Sequence, residues 1–336
     1  MRPQLKDLSE QTIVVTGASS GIGLATARLA AERGARVVLA ARSREGLARS
    51  TEALRRRGAD AIDVVADVSS EADVERIAEA TRHRFGAFDT WVNNAGVSVY
   101  GWADQVPLVD QRRVFETNYW GTVHGTLTAL AHLRRRGGAI VNVGSTLSER
   151  AFPLQSAYSA SKHAIKGFTD ALRMELIHAR VPVSVTLIKP GAIDTPYKQH
   201  ARSYLPRQPR NPPPLYAPEL VAEAILHAAE RPVRELTVGG AARLMTALDH
   251  WLPALSDRVM AEVLPRLQQG RAPAGERPPD GLHAPAGDGR ERSGDEPFVR
   301  EWSVYSWAAR NPAALLGAAA LCGAALALAG ASRRRW

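Results

Sequence analysis

A chain of 336 residues, 45% of them hydrophobic, is long enough for one large α/β domain with an extension and buries an ordinary core. The net charge of +9 is spread, with 34 basic and 27 acidic residues up to Gly270 and nine and seven after it, and no nucleic-acid-binding motif accompanies it, so nucleic acid is not expected as a partner. Cys322 stands alone, which excludes an internal disulfide framework and a cysteine-based metal site. Met1–Glu10 has no apolar run, so a secretory signal is not expected and a cytoplasmic catalytic domain is.

Short β-branched runs predict strands at Thr12–Thr16, Arg36–Ala41, Ala61–Ala66, Phe88–Asn93, Ala139–Gly144, Val183–Lys189 and Glu235–Val238. Between them, apolar residues at helical spacing predict helices over Ile22–Arg33, Glu45–Arg57, Glu71–Arg84, Leu108–Arg135 and Ala157–Ala179. The triplets Arg55–Arg57 and Arg134–Arg136 each precede a glycine, as at a helix C-terminus where cations meet the negative end of the dipole. Regular alternation of this kind predicts a doubly wound parallel sheet of about seven strands, with helices on both faces, over residues 1–240.

Past residue 190 the texture changes. Thr195–Pro218 reads as an irregular loop rich in proline, followed by a helix to Glu230. Residues 241–269 read as a helical extension broken at Pro253. Residues 270–300 are dense in Gly, Pro and charge and predict a flexible linker. In the last segment, 301–336, Ala313–Ala331 carries no charge. Trp302, Tyr305, Trp307 and Arg310 precede that run, and Arg333–Arg335 with Trp336 follow it. Nineteen such residues just reach across a bilayer core, so membrane contact through 313–331 is one expectation, and an Ala-rich helix packed on a protein partner is the other.

The junction of the first strand and first helix reads Thr16-Gly17-Ala18-Ser19-Ser20-Gly21-Ile22-Gly23. Gly17 allows a tight turn, Gly21 lets backbone approach a phosphate, and Gly23 permits close packing of helix on sheet, while the helix N-terminus offers N–H groups to a pyrophosphate. At that junction the pattern is a dinucleotide motif, in which Ser19, Ser20 and Ile22 also stand against the ligand. The second strand ends in Arg42 with no acidic residue beside it, which suits the 2′-phosphate of NADP(H) better than the free hydroxyl of NAD(H), although NAD(H) stays open. Asp67, followed by Val68, is placed either to meet the adenine or to cap the next turn.

Asn93-Asn94-Ala95-Gly96, Asn118 within Thr117-Asn118-Tyr119, Ser145, Tyr158-Ser159-Ala160-Ser161-Lys162 and Pro190-Gly191 with Ile193 and Thr195 follow the glycine motif in order. Over residues 10–240 this series resembles the short-chain dehydrogenase/reductase family, in its single-domain branch. The resemblance implies a Rossmann-type fold, an oxidoreductase and a homo-oligomer (dimer or tetramer) built on the two long helices Leu108–Arg135 and Ala157–Ala179. It further implies Asn118, Ser145, Tyr158 and Lys162 as the catalytic set. Asn94, Ala95, Gly96, Pro190, Gly191, Ile193 and Thr195 are implied at the cofactor, with Tyr158 and Lys162.

The chemistry can be stated from the side chains. Tyr158 and Lys162 are four apart and share a helix face. A phenol near pKa 10 exchanges protons poorly at neutral pH, and a nearby ammonium, aided by the positive nicotinamide of the oxidised cofactor, is expected to lower it. Ser145 would hydrogen-bond the substrate oxygen, and Asn118 would hold a water leading from Lys162 to solvent. The duller uses are a core tyrosine, a surface lysine, a turn-forming serine and an asparagine satisfying backbone. The set predicts a carbonyl reductase or alcohol dehydrogenase; the alternative is a non-catalytic scaffold or redox-sensing module that binds NADP(H). The histidines on the long helices have no metal-ligand grouping, so no metal is expected. Tyr100, Trp102, Tyr197 and Tyr204 are candidates to line an apolar substrate site.

Overall fold

Seven of the apolar runs pair as one parallel sheet, in the order β10-β7-β6-β4-β1-β2-β3. The computed structural model describes residues 3–240, 251–273, 280–286 and 289–311. In chain order the strands are β1 (Thr12–Thr16), β2 (Arg36–Ala41), β3 (Ala61–Val65), β4 (Thr90–Asn93), β5 (Val99–Tyr100), β6 (Gly138–Val143), β7 (Val183–Pro190), β8 (Arg202–Ser203), β9 (Arg207–Pro209) and β10 (Glu235–Val238). The two-residue strands β5 and β8 pair with each other, and β9 pairs with Gln269–Pro273.

The strands are apolar without interruption because both faces of the sheet are covered. Ile13, Val15, Val37 and Leu39 point to one core with Leu24 and Ala27 of helix α1 (Gly21–Glu32), Leu47 and Leu54 of α2 (Arg44–Arg56), and Val221 and Ile225 of the helix Pro218–Glu230. Val14, Val38, Trp91 and Ile140 point the other way, toward α3 (Glu71–Phe85), α5 (Gly121–Leu133) and α6 (Ser156–His178), while α4 (Leu108–Phe115) packs against α6. The strand order reverses between β1 and β4, and the crevice beyond their C-terminal ends is where this architecture places ligands.

The run Leu108–Arg135, expected as one helix, is α4 and α5 joined through a π-helical turn at Glu116–Trp120. Asn118, in that turn, is fully buried. The widened turn admits the extra residue that brings its amide inward. The expected irregular loop also contains a short helix, α7 (Tyr197–His200).

The larger difference lies in the segment expected as a flexible linker. Gln269–Pro273 pairs antiparallel with β9, and the described residues from 280 onward lie against the domain. Composition misleads here because few large apolar side chains are needed. Leu282 is fully buried among Val99, Val106, Val114 and Ala157, worth about 2 kcal/mol. Backbone hydrogen bonds and ion pairs such as Arg28–Glu291 at 2.7 Å do the remaining work. The helix Pro253–Leu267 begins at the proline expected to break the extension, while 241–250 and the apolar run 313–331 lie outside the described residues. Among the described residues no helix is long and apolar enough to cross a membrane.

Candidate active site

The turn after β1 is shaped by three glycines. Gly17 and Gly21 have φ of +67° and +56°, a region that disfavours any side chain. A Cβ on Gly17 would sit 2.7 Å from the Ala95 Cα, and one on Gly23 only 2.3 Å from the Gly17 carbonyl oxygen. Asn94 clamps the turn to the end of β4: its Nδ2 donates to the Thr16 carbonyl at 2.9 Å, and its backbone N–H donates to Thr16 Oγ1 at 3.0 Å. Thr195, beyond the Pro190-Gly191 pair at the end of β7, lies 3.3 Å from where a Gly21 Cβ would be, so two strand ends converge on one phosphate-sized cradle. These contacts leave room for a diphosphate only while the glycines stay bare, and the residues present fit a dinucleotide.

Ser145, Tyr158 and Lys162 open into the same cavity, of about 500 Å³, as Gly17, Ser19, Ser20, Gly21 and Ile22. So do Arg42, Asp67, Val68, Asn94, Ala95, Gly96, Pro190, Gly191, Ile193 and Thr195. Gly23 packs behind the turn, and Asn118 stands behind the wall.

Ser145 follows β6 and caps the short turn Thr146–Ser148, its Oγ accepting from the Leu147 N–H at 3.1 Å. As an acceptor there it keeps its own proton to donate. Tyr158 lies in the first turn of α6 and Lys162 one turn later; Lys162 is 4% exposed and donates from Nζ to the Val143 carbonyl at 2.8 Å. Asn118 uses its amide differently from the expectation. Both hydrogens on Nδ2 are committed, to the Val97 carbonyl and Ser161 Oγ (3.0 Å each), and Oδ1 accepts from the Val97 N–H at 2.8 Å. The side chain thus fixes the segment after Asn94-Ala95-Gly96 and has no donor left for a water beside Lys162.

Lys162 by itself does not lower the tyrosine. Burial pushes the Tyr158 phenol up, only partly offset by the nearby Tyr197 and Ser145 hydroxyls, and burial brings Lys162 down to about 8. Desolvation disfavours the charged form of each.

At the other end of the cavity, burial lowers Arg42 against the opposing pull of Asp67. Burial works against the charge of Asp67, but Arg113 at 2.5 Å and the Ser69 N–H and hydroxyl more than offset it and hold the carboxyl below its usual range. Asp67 is therefore engaged by α4 as well as capping its own turn.

Residues 11–205 match the family model described as short chain dehydrogenase. The chain belongs to this family. It is 46% identical over 323 residues, 95% of this chain and 90% of the relative, to the uncharacterized oxidoreductase YxnA of Bacillus subtilis. Its fold is similar to a short-chain dehydrogenase/reductase from Burkholderia phymatum in complex with NAD (TM-score 0.68, 27% identity, 75% of this chain and 96% of that one). It is also similar to an alcohol dehydrogenase from Thermococcus sibiricus complexed with 5-hydroxy-NADP (TM-score 0.60, 27% identity, 68% and 95%). The protein is an oxidoreductase of the family, with a nicotinamide dinucleotide as its type of cofactor.

The apolar part of the cavity lining in this short-chain dehydrogenase includes Tyr100, Leu147, Phe152, Tyr197, Pro213, Tyr216, Leu264 and Leu267. Tyr100 and Tyr197 stand where the sequence suggested. Trp102 and Tyr204 do not: Trp102 is 46% exposed, and Tyr204 turns to donate to Asp110 at 2.6 Å. Two features went unseen in the sequence. Tyr197 meets Tyr158 edge to face, ring centroids 5.7 Å apart, with its buried hydroxyl near enough to the Tyr158 hydroxyl to act on that phenol. Behind the site, Asn93 Nδ2 donates to Asn142 Oδ1 (2.9 Å) and Thr126 Oγ1 (3.0 Å), and Asn142 Nδ2 donates to Thr169 Oγ1 (3.0 Å). Buried asparagines one strand apart at matched register were the available signal.

Proposed function

We propose that this short-chain dehydrogenase moves hydride between NADP(H) and a lipophilic carbonyl or alcohol, with Tyr158 as the proton-transferring group. One observation carries the reading: Ser145, Tyr158 and Lys162 face the same cavity as a glycine turn that only a bare backbone could form.

When bound, the dinucleotide supplies or accepts the hydride. The chain does everything else. The α1 N-terminus and the glycine turn hold the diphosphate through backbone N–H groups. Ser145 donates its proton to the substrate oxygen and stabilises charge gathering there. The Tyr158 hydroxyl gives that oxygen its proton in reduction and takes it back in oxidation. Lys162, one turn away, carries a proton that is easily lost because burial has brought it to about 8. Arg42 supports NADP(H), since its fork faces the cavity at the end of β2 where a 2′-phosphate would lie. The Tyr, Phe, Leu and Pro lining supports a lipophilic substrate.

Oxidation of NADPH and NADH against long-chain and steroid-like carbonyls, with short polar carbonyls beside them, tests the reading. Preference for NADPH and the apolar set is expected; faster turnover of the polar set would reject the substrate class, and loss of no activity in Tyr158→Phe would reject the mechanism. Two further parts belong to the reading. Exposed Leu108 and Val109 on α4, Leu127 on α5, and Met174 and Ile177 on α6 suit a homo-oligomer, which sedimentation would reveal. Contact of residues 313–331 with a bilayer would show as vesicle flotation of the full chain but not of residues 1–311.

A further inference from the structure

The described parts of residues 280–296 follow the rim of the cavity, and Gly281, Pro285 and Ala286 form part of its lining. At the adenosine end, Arg42 donates to the carbonyl oxygens of Leu282 (3.3 Å) and Gly281, and Arg113 Nε donates to the same Leu282 oxygen at 3.2 Å. At the glycine turn, the Gly21 N–H donates to the Arg290 carbonyl at 2.9 Å, and the Gly289 N–H donates to the Ser19 carbonyl at 3.1 Å. Side chains secure the segment along its course: His283 meets Asp110 at 2.8 Å, Asp280 meets Arg202 at 2.8 Å, Ser293 bonds Asp194, and Glu296 pairs with Lys198. All of it lies beyond residues 11–205, which carry the family likeness.

We propose that residues 280–286 and 289–296 form a strap completing the dinucleotide site, in which Leu282 positions Arg42 for the anionic groups of the adenosine half and the bound dinucleotide lies beneath the strap. The inference rests on the reading that this cavity takes NADP(H), and deepens it.

Two guanidiniums beside one another repel, and free in solvent each would sample many rotamers. Here the shared Leu282 carbonyl and Asp67 hold the pair in place, with Arg113 fixed behind and Arg42 lining the cavity. A carbonyl is the weaker acceptor, so an arriving phosphate can take hydrogen bonds from the Arg42 fork without its moving away. Leu282 decides the geometry, because its side chain is the buried anchor of the adenosine-end strap and its carbonyl is the point where the arginines meet. The strap also takes up a Gly21 N–H and a Ser19 carbonyl at the turn that cradles the diphosphate. Entry and exit of the dinucleotide therefore require these backbone bonds to open and reform.

Amide hydrogen exchange on the full chain, with and without NADPH, and equilibrium binding of NADPH and of 2′,5′-ADP to wild type, Leu282→Ala and Leu282→Met test the proposal. NADPH is expected to slow exchange in 280–296 as well as in 17–23. Leu282→Ala is expected to weaken NADPH and 2′,5′-ADP, which carries only the adenosine half, by about tenfold or more, and Leu282→Met to recover most of that loss. Slowed exchange in 17–23 with none in 280–296, or wild-type affinity in Leu282→Ala, overturns the strap. Failure of NADPH to protect 17–23 would instead overturn the cofactor reading itself.

Discussion

Lys162 sits one helical turn beyond Tyr158, yet its Nζ donates to the Val143 carbonyl at 2.8 Å and stands 5.6 Å from the centre of the tyrosine ring. The pair is close enough to feel each other but is held in a setting that penalises either charge. Lys162 is brought from 10.5 to about 8 by burial, which corresponds to about 3 kcal/mol against its ammonium form. The site is kept at a cost to the fold, and that cost has a pH signature.

Lys162→Met should accordingly raise stability near pH 7 while abolishing turnover. The folded lysine binds its proton less tightly than the unfolded one, so below about 8 the wild type bears the whole penalty. Between about 8 and 10 the unfolded chain holds more protons than the folded one, and wild-type stability rises. After the lost hydrogen bond to Val143 is subtracted, the variant should gain about 1–2 kcal/mol at pH 7, shrinking as pH climbs through that window. Urea denaturation at pH 7, 8 and 9.5 would show it; a gain that stays constant with pH would mean the lysine is not the group paying.

Tyr158→Phe removes one oxygen and leaves the ring. Turnover should fall by about a thousandfold or more, with NADPH affinity changed less than about threefold. Single-turnover kinetics and binding titration separate the two, and an unchanged chemical step would place proton transfer elsewhere.

Much of this was legible in the residues. The parallel sheet follows from apolar runs alternating with helical spacing, and the glycine turn follows from its place between β1 and α1. What the sequence could not carry was direction. Asn118 could as well have turned to water as to Val97 and Ser161, and only the π-helical turn settles it. Tyr204 and Tyr197 look alike in the chain, but one finds Asp110 and the other Tyr158. The strap was missed for a different reason: its hold comes from backbone groups, which have no residue-type signature, and from side-chain partners far away in sequence, such as Arg28 for Glu291.

Tyr197 carries a buried hydroxyl that forms no well-aligned hydrogen bond, although those of Tyr158 and Ser98 lie close to it. Its removal in Tyr197→Phe relieves a desolvation cost and should raise the unliganded melting temperature by a few degrees, equivalent to about 1 kcal/mol. A substrate oxygen lying between the two phenols would accept from it, so kcat/KM for the preferred ketone should drop about tenfold in the same variant. Calorimetry and initial rates give both numbers; a stabilised variant with wild-type kcat/KM would make the hydroxyl a packing defect.

Gly125 on α5 faces the amide ladder: a Cβ there would lie 2.0 Å from Asn93 Oδ1 and 2.7 Å from Trp91 Nε1. Neither neighbour can retreat, since Asn93 is tied to Asn142 and Thr126. Gly125→Ala should therefore cost about 2–4 kcal/mol despite the better helix propensity of alanine, because it breaks buried hydrogen bonds as well as overpacking. Chemical denaturation reads this directly, and a loss below about 1 kcal/mol would show that α5 can slide away from the sheet.

On the proposed function, Arg42 decides which dinucleotide is taken. Its guanidinium rests on the Leu282 and Gly281 carbonyls, beside Asp67 and Arg113, at the end of β2. Arg42→Ala removes the fork that would grip a 2′-phosphate but nothing that a 2′-hydroxyl needs. The KM for NADPH should rise about 10–100-fold while that for NADH moves less than about threefold, so the ratio of the two kcat/KM values collapses toward unity. Arg113 cannot substitute, because Asp67 and Ser69 already hold it. Equal losses for both cofactors would instead mean that Arg42 serves only to seat residues 281–282, and the preference would have to be sought at another position.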